Sequence, residues 1–320
     1  MRALVTGGAG FIGSNLVGEL LQRGWSVRAA DNLLLGRVEF IEPFMDNERF
    51  HFVECDLLEE AAANDAVCGV DAVFHLAANS DISYGARHTD TDLKLGTVVT
   101  FNVLEAMRRH SVGKIVFSST SAVYGDAGGR EVAEDSGPLL PISLYGASKL
   151  ACEGLVSAFC HNFGIQAWIY RFANIVGDNG THGVLVDFIH KLTADADELV
   201  ILGDGKQSKP YLYVKDCVSG MLFGFDHARG AMNCFNLTCE GSTNVTRIAE
   251  MVADGMGLRG VRLRFTGGSR GWRGDVPQVR LSPERMASLG WTAPRSSDEA
   301  VRAAVAALVP RMAGGVSCRR

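Results

Sequence analysis

Two stretches carry side chains whose types and spacing could do chemistry. The first is Tyr145-Gly146-Ala147-Ser148-Lys149. Residues four apart on a helix share a face, so a phenol and an ammonium would stand side by side. A nearby cation favours phenolate over phenol, and bringing a tyrosine from about 10 toward 7 takes about 4 kcal/mol of differential interaction. With a second cation in a dry site, Tyr145 would serve as general base near neutral pH. Taken alone, the same spacing fits an amphipathic helix with a solvated lysine. The second stretch, Phe117-Ser118-Ser119-Thr120-Ser121-Ala122-Val123-Tyr124-Gly125, comes after a β-branched run. It puts hydroxyls at the carboxyl end of a strand, where open α/β sheets bind ligands. A polar strand end satisfied by backbone is the equal alternative.

A third motif concerns an anion. Thr6-Gly7-Gly8-Ala9-Gly10-Phe11-Ile12-Gly13 satisfies Gly-x-Gly-x-x-Gly at positions 8, 10 and 13, between a strand and a helix. Such a turn lets backbone approach a pyrophosphate while helix amides point at it. Asp31-Asn32 closes the second strand about 20 residues on, where a carboxylate holds a ribose 2′-hydroxyl and disfavours a 2′-phosphate. The cofactor expected is therefore NAD rather than NADP. Asp56, in Glu54-Cys55-Asp56-Leu57, reads as a helix cap unless a family assigns it more. His75-Leu76-Ala77-Ala78 ends the fourth strand with small residues, and His75 alone reads as a packed strand-end side chain.

These motifs need elements to hold them. Short β-branched runs near 2–6, 26–30, 50–54, 72–76, 114–118 and 166–171 alternate with helical spacing over 11–23, 57–67, 90–110 and 144–163. That alternation predicts a doubly wound parallel α/β sheet, a Rossmann fold. Beyond residue 172 the rhythm changes, with helices near 183–193, 215–228, 244–255 and 297–309 separated by short strands and by loops rich in Gly, Ser and Arg. The expected division is a cofactor domain over 1–172 and a smaller α/β substrate lobe over 173–320, with a cleft between them.

Composition limits the partners. The chain has 320 residues, 47% apolar, with 31 basic and 36 acidic side chains and a net charge of −5. That balance argues against nucleic acid or an anionic membrane as the main partner and for a small soluble one. The eight cysteines show no Cys-x-x-Cys pair or zinc-type spacing. With no apolar signal core and no membrane-length apolar run, reduced thiols in a cytoplasmic protein are expected.

In this order, and with Arg171-Phe172-Ala173-Asn174, Tyr211-Leu212-Tyr213-Val214-Lys215-Asp216, Arg273-Gly274-Asp275 and Leu289-Gly290-Trp291, the motifs resemble the extended short-chain dehydrogenase/reductase family. The resemblance is to its NAD-dependent nucleotide-sugar epimerases and dehydratases and covers nearly the whole chain. It implies Thr120, Tyr145 and Lys149 as the catalytic group. It implies an NAD site made by Gly7, Gly10, Phe11, Ile12, Gly13, Asp31, Asn32, Asp56, Leu57, Leu76, Ala77, Ala78, Ser118, Tyr145, Lys149 and Phe172. Asn174 would meet a substrate diphosphate, Val184, Leu185 and Leu202 would line a nucleobase pocket, and Lys209 and Arg273 would clamp the phosphates, with Thr120 and Tyr145 at the sugar. Relatives often have arginine at 209, so bidentate binding is lost there and Arg273 carries more of the clamp.

Dehydratases of the family place Asp-Glu directly after the threonine; here Ser121 and Ala122 stand there, so 4,6-dehydration lacks its acid and base. The implied reaction is C4 epimerisation of a nucleotide-diphosphate sugar, most simply a UDP-hexose. The alternatives are epimerisation at another carbon, a decarboxylase or reductase, or a non-catalytic NAD-binding sensor, against which the intact Thr120, Tyr145 and Lys149 set speaks. Gly96 and Thr89 replace an asparagine and a proline usual in the family, so the Asn79–Asp92 segment is expected to pack differently around the sugar. Basic residues common near Ser80 or Ser83 are also missing, which makes a hexuronate harder to bind. The resemblance further implies a homodimer, with the helices over 90–110 and 144–163 pairing across a two-fold axis.

Overall fold

The computed structural model describes residues 1–271 and 274–313. Its centre is a seven-stranded parallel sheet in the order β12-β7-β5-β4-β1-β2-β3. The first three strands are β1 (Arg2–Thr6), β2 (Ser26–Asp31) and β3 (Phe50–Glu54), with α1 (Phe11–Gln22) crossing from β1 to β2. After α2 (Glu60–Val67) comes β4 (Ala72–His75), then α3 (Ile82–Arg87), a π-helical turn over Leu93–Val98, and α4 (Val99–Arg109). Next are β5 (Lys114–Thr120), β6 (Glu131–Val132), α5 (Leu144–Phe163), β7 (Gln166–Phe172) and β8 (Asn174–Val176). The strand order reverses between β1 and β4, and ligands of open α/β sheets bind in the crevice at such a point.

The rest of the chain runs α6 (Val184–Ala194), β9 (Glu198–Ile201), β10 (Ser208–Lys209), β11 (Tyr211–Tyr213), α7 (Val214–His227) and β12 (Met232–Leu237). Then come β13 (Thr243–Asn244), α8 (Val245–Gly255), β14 (Arg262–Phe265), β15 (Arg280–Leu281), α9 (Glu284–Leu289) and α10 (Ser297–Ala313). One face of the large sheet is covered by Leu16, Leu20, Met221 and Phe225 of α1 and α7. Val67, Val103, Met107 and Val156 of α2, α4 and α5 cover the other. A separate core of α6, α8 and α10, built on Ile189, Ile248, Val252 and Val301, holds the second lobe.

Three expectations about elements are corrected. The sheet has a seventh strand: β12 returns from the second half of the chain and pairs with β7, Met232 to Ala167 through Leu237 to Phe172. The helix expected over 90–110 is a π-helical turn continued by α4, and α3 precedes it. The helix expected from 57 begins at Glu60, because Asp56 Oδ1 accepts from the Leu58 N–H at 3.0 Å and turns the chain before the helix starts. No described helix is long and apolar enough to cross a membrane, and the seven described cysteines are free thiols.

Candidate active site

The glycine turn shows why its residues are glycines. Gly7 has φ +67°, and a Cβ there would lie 2.9 Å from Ala77 N. A Cβ on Gly13 would strike the Gly7 carbonyl, so α1 packs directly on the turn. Gly10, at the N-terminus of α1, would meet only the Gly7 carbonyl, its oxygen at 3.1 Å. The turn thus leaves backbone amides facing a cleft with room for an anion.

Asp31 braces this turn from below. Its Oδ2 accepts from Ala9 N at 3.0 Å and its Oδ1 from Leu33 N at 2.9 Å, while Asn32 Oδ1 accepts from Leu34 N at 3.1 Å. Burial raises the Asp31 carboxyl above its ordinary value, and the two amides pull the other way. Each oxygen keeps a lone pair for a further donor.

His75 is a packed strand-end side chain, as its position suggests. It is fully buried, with Thr6 Oγ1 2.7 Å from Nδ1 and Thr100 Oγ1 3.0 Å from Nε2. Thr6 Oγ1 already accepts from Leu76 N and Ala77 N, so its own proton points to Nδ1 and the ring carries its proton on Nε2. Burial, then the Lys149 charge, push His75 down to about 3.

At the other side of the switch point, α5 is capped by Ser143, whose Oγ accepts from Gly146 N at 3.1 Å. The first turns of α5 carry Tyr145 and Lys149 into the cleft. Lys149 is 4% exposed and donates from Nζ to the Ser118 carbonyl at 2.7 Å. Its ammonium lies 6.0 Å from the Tyr145 ring centroid, and burial brings it down to about 8. Thr120 ends β5 and hydrogen-bonds toward the Tyr145 phenol, which favours the phenolate. Burial is the larger effect and holds that phenol up at about 12. The lowering toward 7 expected of Lys149 together with a second cation thus has desolvation to overcome.

One cleft of about 730 Å³ gathers these parts. Its walls include Gly7, Gly10, Phe11, Ile12, Gly13, Asp31, Asn32, Asp56, Leu57, Leu76, Ala77 and Ala78 on the side of the glycine turn. Ser118, Thr120, Tyr145, Lys149 and Phe172 form its middle, and Asn174, Val184, Leu185, Leu202 and Lys209 its far end. Every expected site residue is brought there except Arg273, which lies outside the described residues. The glycines, the small Ala77-Ala78 edge and the Asp31 carboxylate fit a dinucleotide laid across the switch point.

Several contacts around the cleft had no signal in the sequence. Lys209 Nζ meets Asp275 Oδ1 at 2.7 Å, and Asp275 Oδ2 accepts from Gly271 N at 3.0 Å, so Asp275 ties Gly271 to β10. The Asn79–Asp92 segment closes on itself, Asn79 Nδ2 donating to Asp92 Oδ1 at 3.0 Å and to the Asp81 carbonyl at 2.9 Å. Ser80, Asp81, Ile82 and Ser83 consequently line the cleft. Asn15 of α1 donates to Asp178 O at 3.0 Å and Asn179 donates to Ser14 Oγ at 2.9 Å, joining the cofactor helix to the loop after β8.

A Rossmann-type sheet whose cleft joins a phosphate-ready turn to a half-buried Thr and Tyr beside a buried Lys defines a dinucleotide-dependent enzyme acting on a small molecule. The sequence profile of the NAD dependent epimerase/dehydratase family matches residues 3–237, and the chain belongs to that family. A UDP-glucose 4-epimerase of Mycolicibacterium smegmatis is 30% identical over 263 residues, covering 80% of this chain and 83% of the relative. A UDP-N-acetyl-alpha-D-glucosaminuronate decarboxylase of Bacillus cytotoxicus is also 30% identical, over 262 residues and 78% of each chain. A crystal structure of UDP-galactose 4-epimerase superposes with a TM-score of 0.87 at 36% identity, covering 97% of this chain and 99% of that one. NAD is the cofactor.

Proposed function

We propose that the protein is an NAD-dependent nucleotide-sugar 4-epimerase acting on a UDP-hexose. The observation that carries this reading is the backbone-only contribution of Ala122, two residues after Thr120. Ala122 N donates to Thr120 Oγ1 at 3.2 Å, and Ala122 O packs against Gly146, so position 122 offers no side chain that can exchange a proton. Dehydration needs such a group beside the sugar; inversion at C4 does not.

In this reading Tyr145 takes the proton of the C4 hydroxyl, directly or across the Thr120 hydroxyl. NAD, held by the glycine turn, Asp31 and the Ala77-Ala78 edge, would supply a reversible hydride acceptor at C4 and a positive charge that favours the Tyr145 phenolate. Lys149 holds the Ser118 carbonyl and keeps a positive charge beside the phenol below about pH 8. The 4-keto sugar turns over in the cleft and is reduced on its other face, with Tyr145 giving the proton back. Asn174 and Lys209 face the diphosphate, with Arg273 as a further phosphate ligand, and Val184, Leu185 and Leu202 face the base. Residues 1–172 thus serve the cofactor and 173–320 the substrate, with β12 crossing back to complete the sheet.

Leu93, Val98 and Phe101 around the start of α4, and Phe163 at the end of α5, are exposed apolar side chains. They support a homodimer built on these two helices, which light scattering of the purified protein tests.

Incubation with UDP-galactose should yield UDP-glucose. Tyr145→Phe should lose about 10²- to 10⁴-fold in turnover, the usual contribution of a positioned acid–base group. Undiminished turnover in that variant would sink the mechanism. Carbon dioxide release from a UDP-hexuronate, with no interconversion of the neutral sugars, would instead favour the decarboxylase reading.

A further inference from the structure

Behind the reacting groups, α5 is joined twice to the last residues of β5. Lys149 Nζ donates to the Ser118 carbonyl at 2.7 Å, and one turn further along Glu153 Oε1 accepts from Ser119 Oγ at 2.5 Å. Tyr145 lies one turn before Lys149, and Thr120 is the residue after Ser119. The two bonds therefore hold together the pieces of helix and strand that carry the reacting side chains.

Glu153 is itself fixed from the sheet. Arg171 on β7 donates from Nε to Oε1 at 3.0 Å and from Nη2 to Oε2 at 2.8 Å. Arg171 Nη1 donates to the Tyr124 hydroxyl and to the Glu134 carbonyl, both at 3.0 Å. Tyr124 in turn donates to Asn236 Oδ1 of β12 at 2.7 Å. Ser119, Glu153 and Arg171 are 2%, 7% and 5% exposed.

A buried ion pair is a poor source of stability, because desolvation offsets the attraction and apolar replacements often do as well. Its two-pronged geometry does impose one orientation. With Arg171 fixing the carboxylate, Glu153 offers Ser119 an acceptor at one place only. Pinning Ser119 sets the direction in which Thr120 leaves the strand, since successive strand side chains point to opposite faces.

We propose that Ser119 and Glu153 are positioning residues for the epimerase reaction, setting Thr120 against Tyr145 through a buried link between β5 and α5. The proposal rests on the reading of Tyr145 as the acid–base group. Facing Tyr145 are Thr120 from β5, Asp92 from the start of the π-helical turn, and Lys149 and Cys152 on its own helix. Facing Glu153 are Ser119, Arg171 and the Cys234 thiol.

Ser119→Ala tests this without unpairing Arg171. Turnover should fall about tenfold with KM within about twofold of wild type, since misplacement affects the transition state more than binding. Loosening Thr120 removes the bond that favours phenolate, so the acid limb of the activity profile should move to higher pH. The same shift should appear in the Tyr145 phenolate, read by ultraviolet titration against Tyr145→Phe. Ser119→Thr keeps the hydroxyl and should recover most of the turnover. Wild-type titration and turnover in Ser119→Ala would overturn the proposal, as would a lowered melting temperature with the titration unmoved. If the wild-type protein interconverts no UDP-hexose, the 4-epimerase reading fails, while the Tyr145 titration still decides the positioning role.

Discussion

Ser148 Oγ occupies the space in front of Gly96 that a Cβ would need, and from there it donates to the Asp92 carbonyl at 2.6 Å and lies 3.0 Å from Thr97 Oγ1. The absent side chain at 96 thus lets α5 reach into the π-helical turn. A π-helical turn leaves irregular carbonyls to be satisfied, and Ser148 satisfies one of them.

Gly96→Ala should accordingly destabilise the protein, although the change favours a helix by propensity. The Ser148 hydroxyl must turn away, and loss of its buried hydrogen bond costs about 1 kcal/mol. Adding Ser148→Ala removes the collision. In urea unfolding the double variant should be more stable than additivity of the two single changes allows, and strict additivity would refute the contact.

His75 sets an acid limit on stability. Folding depresses its pKa from 6.5 to about 3, so the unfolded chain binds a proton that the folded one refuses. This contribution is fully present above 6.5 and is lost as pH falls toward 3, at about 1.4 kcal/mol per pH unit for one proton. His75→Asn should be less stable at neutral pH but should show a shallower decline over that window. Equal slopes in the two proteins, measured by denaturant titration at stepped pH, would remove His75 as the cause.

Protein groups alone hold the Tyr145 phenol at about 12. Removing NAD should therefore leave Tyr145 titrating well above its value in the NAD-loaded enzyme. Phenolate absorbance, taken as the difference from Tyr145→Phe, measures this. Identical titration with and without the dinucleotide would show that the nicotinamide charge is not what readies the base.

The Lys209–Asp275 pair joins β10 to Asp275 at one end of the cleft, with side chains 15% and 3% exposed. Removing one partner of a buried pair costs about 3–5 kcal/mol, and the remaining solvent access places Lys209→Met at the low end of that range. The same variant should raise KM for a UDP-sugar more than it lowers turnover, because a phosphate ligand binds ground and transition states alike. A change in turnover alone would place Lys209 nearer the reacting carbon.

What the sequence determined by itself is local. The spacing of Gly8, Gly10 and Gly13 between a β-branched run and a helix prescribes the cofactor turn, because a Cβ at Gly7 or Gly13 collides with neighbouring backbone. Tyr145 and Lys149 share a face because four residues make about one helical turn. The alternation of strands and helices announced the parallel sheet, because its period is written in each segment.

Only the tertiary structure decided what depends on partners far apart in the chain. β12 reads as one more short strand until β7 claims it as a neighbour. Lys209 meets Asp275 across 66 residues, Ser119 meets Glu153 across 34, and Gly96 is explained only by Ser148. Tyr145 illustrates the difference most directly. Its closeness to Lys149 is legible in the spacing, whereas the burial that raises the phenol is not. Desolvation depends on everything packed around a group, and that is a property of the folded chain alone.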